Sequence, residues 1–483
     1  NVITFIVSYL SFFLWNLLTT WWIYNSTEFG ALFAILVNSS FYSLIMVVYR
    51  ISLNLIPKIT SHILLLSMWI SFEKFHLNWD FSWPWLNLGN VFSESVYLIQ
   101  WYEYTGAFGG TLWILVVNLF VFNFLNTELK ELNRKIIISK VLMFIFLVGT
   151  PILLSLFIYD SNTEKNNKIE IAILQPNIDP YNKKFKSNNS ELFELIKNQS
   201  IDYISQDTKY LILPEGYFDE GIGINLKTYE DSELKFSIDR FLNEYKNLNL
   251  IVGAQSFNIY PISENSPTIT ANKISNGRWV DIYNSAFQFS NNYKSQFYHK
   301  SKLVVGVEFM PYKKILEPII GEVLLDFGGT VATRGIQDKR ANFQSKEGVI
   351  TAPIICYESI YGSFITEYVR LGAQFLIIIS NDAWWGNTEG HRQLLSYSRL
   401  RAIENRRAIA RSANTGISAF IDKNGRIIKK IDYEKNGILI GNLPLANNLT
   451  FYTKYGDYIA RIALLLFILT ILFLFRNFLI RDK

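Results

Sequence analysis

Val349-Ile350-Thr351-Ala352-Pro353-Ile354-Ile355-Cys356-Tyr357-Glu358 is the stretch on which the fold turns. A β-branched run bounded by turn residues reads as a buried strand, and the pattern from Tyr357 to Arg370 reads as a helix. The run delivers the only cysteine of the chain to its carboxyl end. The same reading gives strands at 169–174, 210–213, 250–253, 286–289, 375–379, 417–421 and 438–440. Helical patterns intervene at 190–204, 233–246 and 393–409. Strands alternating with helices predict a layered α/β fold. The turn Asp422-Lys423-Asn424-Gly425 is of hairpin type, so the sheet is expected to be mixed.

Composition places this α/β segment in unusual company. Half of the 483 residues are apolar and 18% are charged, against about a quarter charged in soluble domains, which excludes one soluble globule. The 37 Phe, 27 Tyr and 12 Trp exclude a disordered polar chain and suit membrane-interface belts. One Cys and four His exclude a disulfide framework and a Cys-rich zinc site. The net charge of +5 is spread along the chain without a dense basic tract, which argues against a nucleic-acid partner.

Apolar stretches at 2–24, 30–49, 59–75, 106–125, 136–159 and 459–480 each approach the roughly 20 residues a helix needs to cross a bilayer. They predict an organisation of membrane helices over 1–160, an α/β domain over 161–457, and a last helix with its tail over 458–483. Arg50 and Lys58 follow the second stretch, and Lys130, Arg134, Lys135 and Lys140 follow the fourth. By the positive-inside rule these loops face the cytoplasm and the α/β domain lies outside. Arg476, Arg481 and Lys483 after the last stretch agree with that orientation. The chain starts with Asn rather than Met, and an N-terminal truncation that removes an even number of spans is expected. No cleavable signal peptide is visible. The loop segment Trp83-Pro84-Trp85-Leu86-Asn87-Leu88-Gly89 reads as an interface anchor or as a loop reaching toward a lipid.

In open α/β sheets, chemistry collects beyond the carboxyl ends of strands. Leu213-Pro214-Glu215 brings a carboxylate there, Ile355-Cys356 a thiol, and Tyr298-His299-Lys300-Ser301-Lys302 brings ammonium groups. Each alone has an ordinary explanation as a buried small residue or a surface charge. Together they make a reactive set, because a thiol needs a base to take its proton and a cation to hold the thiolate. Glu215 is the candidate base. Lys300 is the candidate cation, able also to steady an oxyanion. The Tyr357 amide, at the start of the expected helix, is a candidate oxyanion donor. A Cys–His pair is disfavoured, since His299 adjoins Lys300 and points the opposite way in an extended segment.

Glu–Lys–Cys in this order and in these strand contexts resembles the carbon–nitrogen hydrolase (nitrilase) superfamily. With membrane spans on both sides, the chain resembles its membrane-embedded, lipoprotein-acylating branch. The motifs carrying the resemblance are Gln175-Pro176-Asn177, Pro214-Glu215, Lys300-Ser301-Lys302-Leu303-Val304, Glu308-Phe309-Met310-Pro311, Cys356-Tyr357-Glu358, Asn381-Asp382-Ala383-Trp384-Trp385-Gly386 and Arg411-Ser412-Ala413-Asn414-Thr415-Gly416. One segment departs from the family pattern: Val305-Gly306-Val307-Glu308 stands where Pro-Phe-Gly-Glu is usual. The resemblance implies an α-helical transmembrane bundle plus an αββα sandwich, and seven spans before the catalytic domain, of which five are visible.

It further implies a ping-pong acyl transfer. Cys356 takes a fatty acyl group from a phospholipid, typically phosphatidylethanolamine, and passes it to the α-amino group of a diacylglyceryl-cysteine on an apolipoprotein. Glu215, Lys300 and Cys356 are then catalytic, and Glu308, Tyr357 and Glu358 support them. Trp85, Trp384 and Trp385 are expected along the path of the lipid. No metal or organic cofactor is implied, and the location is the bacterial inner membrane with a periplasmic active site. A membrane-tethered amidase using water as acceptor needs the same three residues, so they leave that reading open. A transporter with an inactive domain is disfavoured by spans nearly free of charge.

Overall fold

The computed structural model describes residues 1–127, 133–161, 167–179, 188–262, 267–274, 276–312, 315 and 333–481. Two units follow from the contacts: Asn1–Trp21, Gly30–Thr163 and Thr450–Lys483 form the first, and Trp22–Phe29 with Glu164–Leu449 the second.

Among the described residues, five helices are long and apolar enough to cross a membrane: Val2–Asn25, Glu28–Leu55, Ala107–Leu125, Arg134–Tyr159 and Tyr458–Ile480. The sixth expected stretch, 59–75, forms the helix Lys58–His76 and is not among these five. Two of its charges have protein partners. Glu73 is fully buried and accepts from Trp69 Nε1 (3.1 Å), the Leu88 amide (2.8 Å) and Thr111 Oγ1 (2.8 Å), while Lys74 pairs with Asp457 at 2.7 Å. Trp85 is buried in this unit, with its ring 6.2 Å from that of Trp83. Lys130 and Lys483, used above for orientation, lie outside the described residues.

The second unit has fourteen described strands: Lys168–Gln175 (β1), Thr208–Ile212 (β2), Ile224–Asn225 (β3), Asn249–Tyr260 (β4), Asn272–Lys273 (β5), Trp279–Ser290 (β6), Tyr293–His299 (β7), Phe343–Gln344 (β8), Ile350–Ile355 (β9), Phe375–Ser380 (β10), Ile409–Ala413 (β11), Ser418–Ile421 (β12), Ile427–Ile431 (β13) and Gly437–Pro444 (β14). One sheet runs β14-β1-β2-β4-β6-β5, with β3 on β4 and β7 on β6; the other runs β13-β12-β11-β10-β9-β8. Both are mixed, since β1, β2 and β4 are parallel while β14 and β6 are antiparallel, and β9, β10 and β11 are parallel while β8, β12 and β13 are antiparallel.

The sheets face each other. Ser412 Oγ donates to the Leu174 carbonyl at 2.9 Å, and the rings of Tyr210 and Phe375 meet edge to face at 5.4 Å. Helices Asn189–Ser200 and Glu233–Glu244 cover the outer side of the first sheet, where Leu192, Phe193, Ile196, Ile238 and Phe241 share one core with Leu174, Leu211, Leu213 and Leu250. Ser232 caps the second of these helices by accepting from the Lys235 amide, as a serine N-cap does. Helices Gly362–Arg370 and Glu389–Asn405 belong to the second sheet. The result is the αββα sandwich.

Several boundaries differ from the sequence reading. β4 and β6 pair over twelve residues each, from Asn249 opposite Ser290 to Tyr260 opposite Trp279; only the short stretches 250–253 and 286–289 were legible. β11 takes residues assigned to the end of a helix, because Arg406 adopts a left-handed conformation that stops the helix at Asn405. β7, with Lys, Gln and two Tyr, and β13, a five-residue strand with two adjacent Lys, are partly exposed strands whose polar residues hide them.

Arg411 and Asp382 form a fully buried ion pair at 2.9 Å next to the end of β10. Gly416 makes room for it, since a Cβ there would stand 2.1 Å from Asp382 Oδ2. Arg411→Met strands a buried carboxylate and is expected to destabilise by about 3–5 kcal/mol; thermal unfolding of the purified protein should show the loss, with partial recovery in the double variant Arg411→Met/Asp382→Asn.

Candidate active site

β2 runs out into Leu213-Pro214-Glu215, and β4 lies close enough for the Gly253 amide to donate to the Pro214 carbonyl (3.1 Å) and the Tyr217 amide to the Gly253 carbonyl (2.7 Å). A Cβ on Gly253 would sit 2.5 Å from Glu215 Cα, so this approach requires glycine. Lys300 is the residue after β7, and its amide donates to the Asn284 carbonyl on β6 (2.8 Å). Cys356 follows β9 directly.

The three candidate catalytic residues converge. Lys300, 2% exposed, donates from Nζ to Glu215 Oε1 at 3.1 Å and also contacts Glu308 at 3.0 Å. Glu308 accepts in addition from the Val304 amide (2.8 Å), so the altered segment before it still closes on its own carboxylate. Burial by itself would lower the lysine's proton affinity, but Glu215 and Glu308 override it and hold the ammonium charged, above its ordinary range. Burial pushes Glu308 the other way, and Lys300 with Arg334 draws it below the usual carboxylate range. Cys356 lies within electrostatic reach of Glu215, Lys300 and Asp382. Burial first, then Glu215, pushes its thiol up, and Lys300 offsets only part of this. The resting group is therefore a thiol that must lose its proton to react.

Cys356 has φ of 48°, the left-handed region that costs a non-glycine residue about 1–3 kcal/mol and that clusters at functional sites. The expected continuous helix after it is corrected. Cys356–Ile360 is a short 3-10 turn, Tyr361 is extended, and the α-helix begins at Gly362. Five residues of 3-10 turn carry little macrodipole, so the positive pull on the sulfur comes from Lys300 rather than from a helix end. Tyr357 is buried, its ring edge-on to Tyr361 at 5.4 Å.

Glu358 sits beside the reacting groups and holds them in place. Its Oε1 accepts from the Ser301 amide and from Tyr298 Oη, both at 2.7 Å, and its Oε2 from the Ile355 amide at 2.9 Å. Ser301 follows Lys300 and Ile355 precedes Cys356, so one carboxylate sets the lysine of the first sheet against the cysteine of the second. Lys302 turns away and lies over the Tyr361 ring at 4.9 Å. His299 is stacked on Tyr283 at 4.1 Å with Nδ1 on Ser285 Oγ at 2.7 Å, and burial pushes it down to about 4, which leaves it neutral.

Trp384 and Trp385 lie in the 3-10 turn Asp382–Trp385 after β10. Trp385 meets Trp22 edge to face at 5.0 Å, and its carbonyl accepts from Asn25 Nδ2 at 2.8 Å. Trp384 is 39% exposed. Trp85 belongs to the other unit. Two participants were missed by sequence reading: Asn284, whose Nδ2 donates to Glu215 (2.7 Å) and Glu308 (3.1 Å), and the Asn381 amide, which donates to Glu215 Oε2 (3.0 Å). The signal for Asn284 was a polar residue continuing the apolar run 286–289 at strand spacing. Among the described residues no three His, Cys, Asp or Glu side chains are grouped to hold a metal ion.

A family model described as carbon–nitrogen hydrolase matches residues 170–448, and one described as apolipoprotein N-acyltransferase N-terminal domain matches residues 3–120. Relatives bearing the name apolipoprotein N-acyltransferase span most of the chain. The protein from Chlorobaculum tepidum is 28% identical over 465 residues, covering 95% of this chain and 85% of its own. Those from Rickettsia prowazekii and Haemophilus influenzae are 26% and 25% identical, each over 83% of this chain and over 74% and 72% of their own.

Burial raises the Glu358 carboxyl to about 7 against the pull of its amide and hydroxyl donors. A carboxyl raised on folding keeps its proton in the native state while the unfolded chain releases it, so stability falls as pH rises from about 4.5 to about 7. Glu358→Gln should remove that pH-dependent component, read as the difference in melting temperature between wild type and variant across this window.

Proposed function

We propose, for a chain that belongs to the carbon–nitrogen hydrolase family, an N-acyl transfer from a membrane phospholipid to the amino terminus of a lipoprotein. The observation that carries this reading is the buried contact of Lys300 with Glu215 beside Cys356, in a chain whose N-terminal helices match the N-terminal domain of apolipoprotein N-acyltransferases.

In the first half-reaction Glu215 takes the proton of Cys356 as the sulfur attacks the ester carbonyl of the phospholipid. A carbon–sulfur bond forms, and the carbonyl electron pair moves onto oxygen. Lys300, with its charge fixed by two carboxylates, stabilises the developing oxyanion together with backbone amides such as that of Tyr357; such preorganised donors contribute several kcal/mol. Collapse breaks the carbon–oxygen ester bond, and the proton held by Glu215 goes to the departing glycerol oxygen, which gives a lysophospholipid and a thioester on Cys356. In the second half-reaction the α-amino group of the diacylglyceryl-cysteine attacks that thioester. Glu215 accepts the amine proton, the carbon–nitrogen bond forms, and the sulfur leaves and is reprotonated.

Glu308 keeps Lys300 charged, and Glu358 fixes the spacing of lysine and cysteine. Both substrates are lipids, which fits membrane helices on both sides of the catalytic segment. The basic loops support a periplasmic site, and phosphatidylethanolamine is the donor this reading favours. Trp384, partly exposed on the turn that carries Asn381, is suited to contact a lipid chain. Trp385 braces that turn, and the burial of Trp85 leaves it no surface for a lipid chain.

Mass spectrometry of the protein after incubation with phospholipid should show an acyl adduct, removed by hydroxylamine and absent in Cys356→Ala. Glu215→Ala should reduce adduct formation by at least about 100-fold, the scale of general-base catalysis, whereas Lys302→Ala should change it less than about threefold. An adduct that persists without Cys356 overturns the nucleophile; an adduct that water discharges as fast as a lipoprotein amine does marks the protein as a hydrolase.

A further inference from the structure

Glu215 and Glu308 face one ammonium, that of Lys300. Arg334 acts on Glu308 from the segment after it, its guanidinium held by Gln255 at 2.9 Å. Among the described residues the other charged or titratable neighbours are Cys356, Glu358 and the self-neutralising pair Asp382–Arg411. Two buried carboxylates side by side normally share a proton, and a protonated Glu215 is no base.

Asn284 supplies what keeps them apart from a proton. Its Nδ2 lies 2.7 Å from Glu215 Oε1 and 3.1 Å from Glu308 Oε1, and Lys300 Nζ lies 3.1 Å from each of the same two oxygens. Two donors and two acceptors thus close a square. An amide nitrogen has two protons, one for each carboxylate. The opposite amide orientation would aim Oδ1 at two carboxylates, so the charges choose Nδ2; Oδ1 is left buried without a partner.

Counting lone pairs then identifies the reacting atom. Glu215 Oε1 is filled by Asn284 and Lys300. Glu308 Oε1 is filled by the same two, and its Oε2 receives the Val304 amide and Lys300. Glu215 Oε2 receives only the Asn381 amide at 3.0 Å among the described residues. We propose that Asn284 is a positioning residue that clamps Glu215 and Glu308 side by side and leaves Oε2 of Glu215 as the atom that takes the Cys356 proton. This deepens the acyl-transfer reading and rests on it only in taking Glu215 as the base.

The test uses the 483-residue chain in detergent and a small alkylating reagent, iodoacetamide, which reads thiolate formation at its one cysteine without lipid or lipoprotein. Removing a donor from a carboxylate raises its proton affinity, so Asn284→Ala should move the acid limb of the alkylation–pH profile upward by about one unit, a tenfold lower rate on that limb. The rate should recover at higher pH. Asn284→Asp, which adds a third carboxylate, should move the limb further. Asn284→Ser retains one hydroxyl donor and should fall between wild type and Ala; it carries the test if Ala does not fold. An unmoved profile in folded variants, or a rate lowered equally at every pH, overturns the proposal. Failure of phospholipid-dependent acylation in the wild type, with the shifted alkylation profile intact, would instead remove the acyl-transfer reading and leave the clamp.

Discussion

A single buried ammonium, that of Lys300 between Glu215 and Glu308, is the interaction on which the site depends. Taking one charge into a protein interior is costly unless partners and hydrogen bonds replace its water. Here each partner comes from a different place: Glu215 from the end of β2, Glu308 from the segment after β7, Asn284 from β6, with Asn381 at the end of β10 supporting Glu215. Glu215 alone draws on Lys300, Asn284 and the Asn381 amide, which come from both sheets. The sandwich therefore has little freedom in how its two sheets meet at this end.

The cysteine is placed by complementary means. Burial first and then Glu215 push its thiol up, while Lys300 pulls the other way. The backbone at Cys356 is left-handed, and the surrounding contacts hold it so: Ile355 and Ser301 are fixed through Glu358, and Ser359 Oγ donates to the Cys356 carbonyl at 2.7 Å. Strain of this kind persists only where neighbours over-determine it. The same carboxylate that holds the strand end also holds the segment carrying Lys300, so Glu358 ties the backbone beside the cysteine to the backbone beside the lysine.

A similar economy runs through the turn after β10. Asp382 is tied to Arg411, Trp385 to Trp22 and Asn25, and the Asn381 amide to Glu215. Gly390 lets the Trp22 ring approach, since a Cβ there would meet it at 2.7 Å. Residues Trp22–Phe29, although they follow the first apolar helix in sequence, thus belong by contact to the α/β unit. The polar groups of helix Lys58–His76 obey the same rule on the membrane side: Glu73 is fully supplied with donors, so its burial is tolerated without exposure to lipid.

The sequence by itself determined the class of fold and which residues to consider for the site. Apolar, β-branched runs mark buried strands whatever their neighbours are, and the residues following those at 210–213 and 350–355 were legible as a carboxylate and a thiol beyond strand ends. The apolar lengths at both ends marked the long apolar helices for the same reason, and the helix at 59–75 was legible too, although the partners of its Glu73 and Lys74 were not. Tertiary structure decided the rest. The polar strands β7 and β13, the extension of β6 that carries Asn284, the stop of the helix at Asn405 and the left-handed Cys356 all depend on contacts between residues far apart in the chain. A hydrogen-bond partner is fixed by where two strands meet in space, and no local pattern of side chains records that.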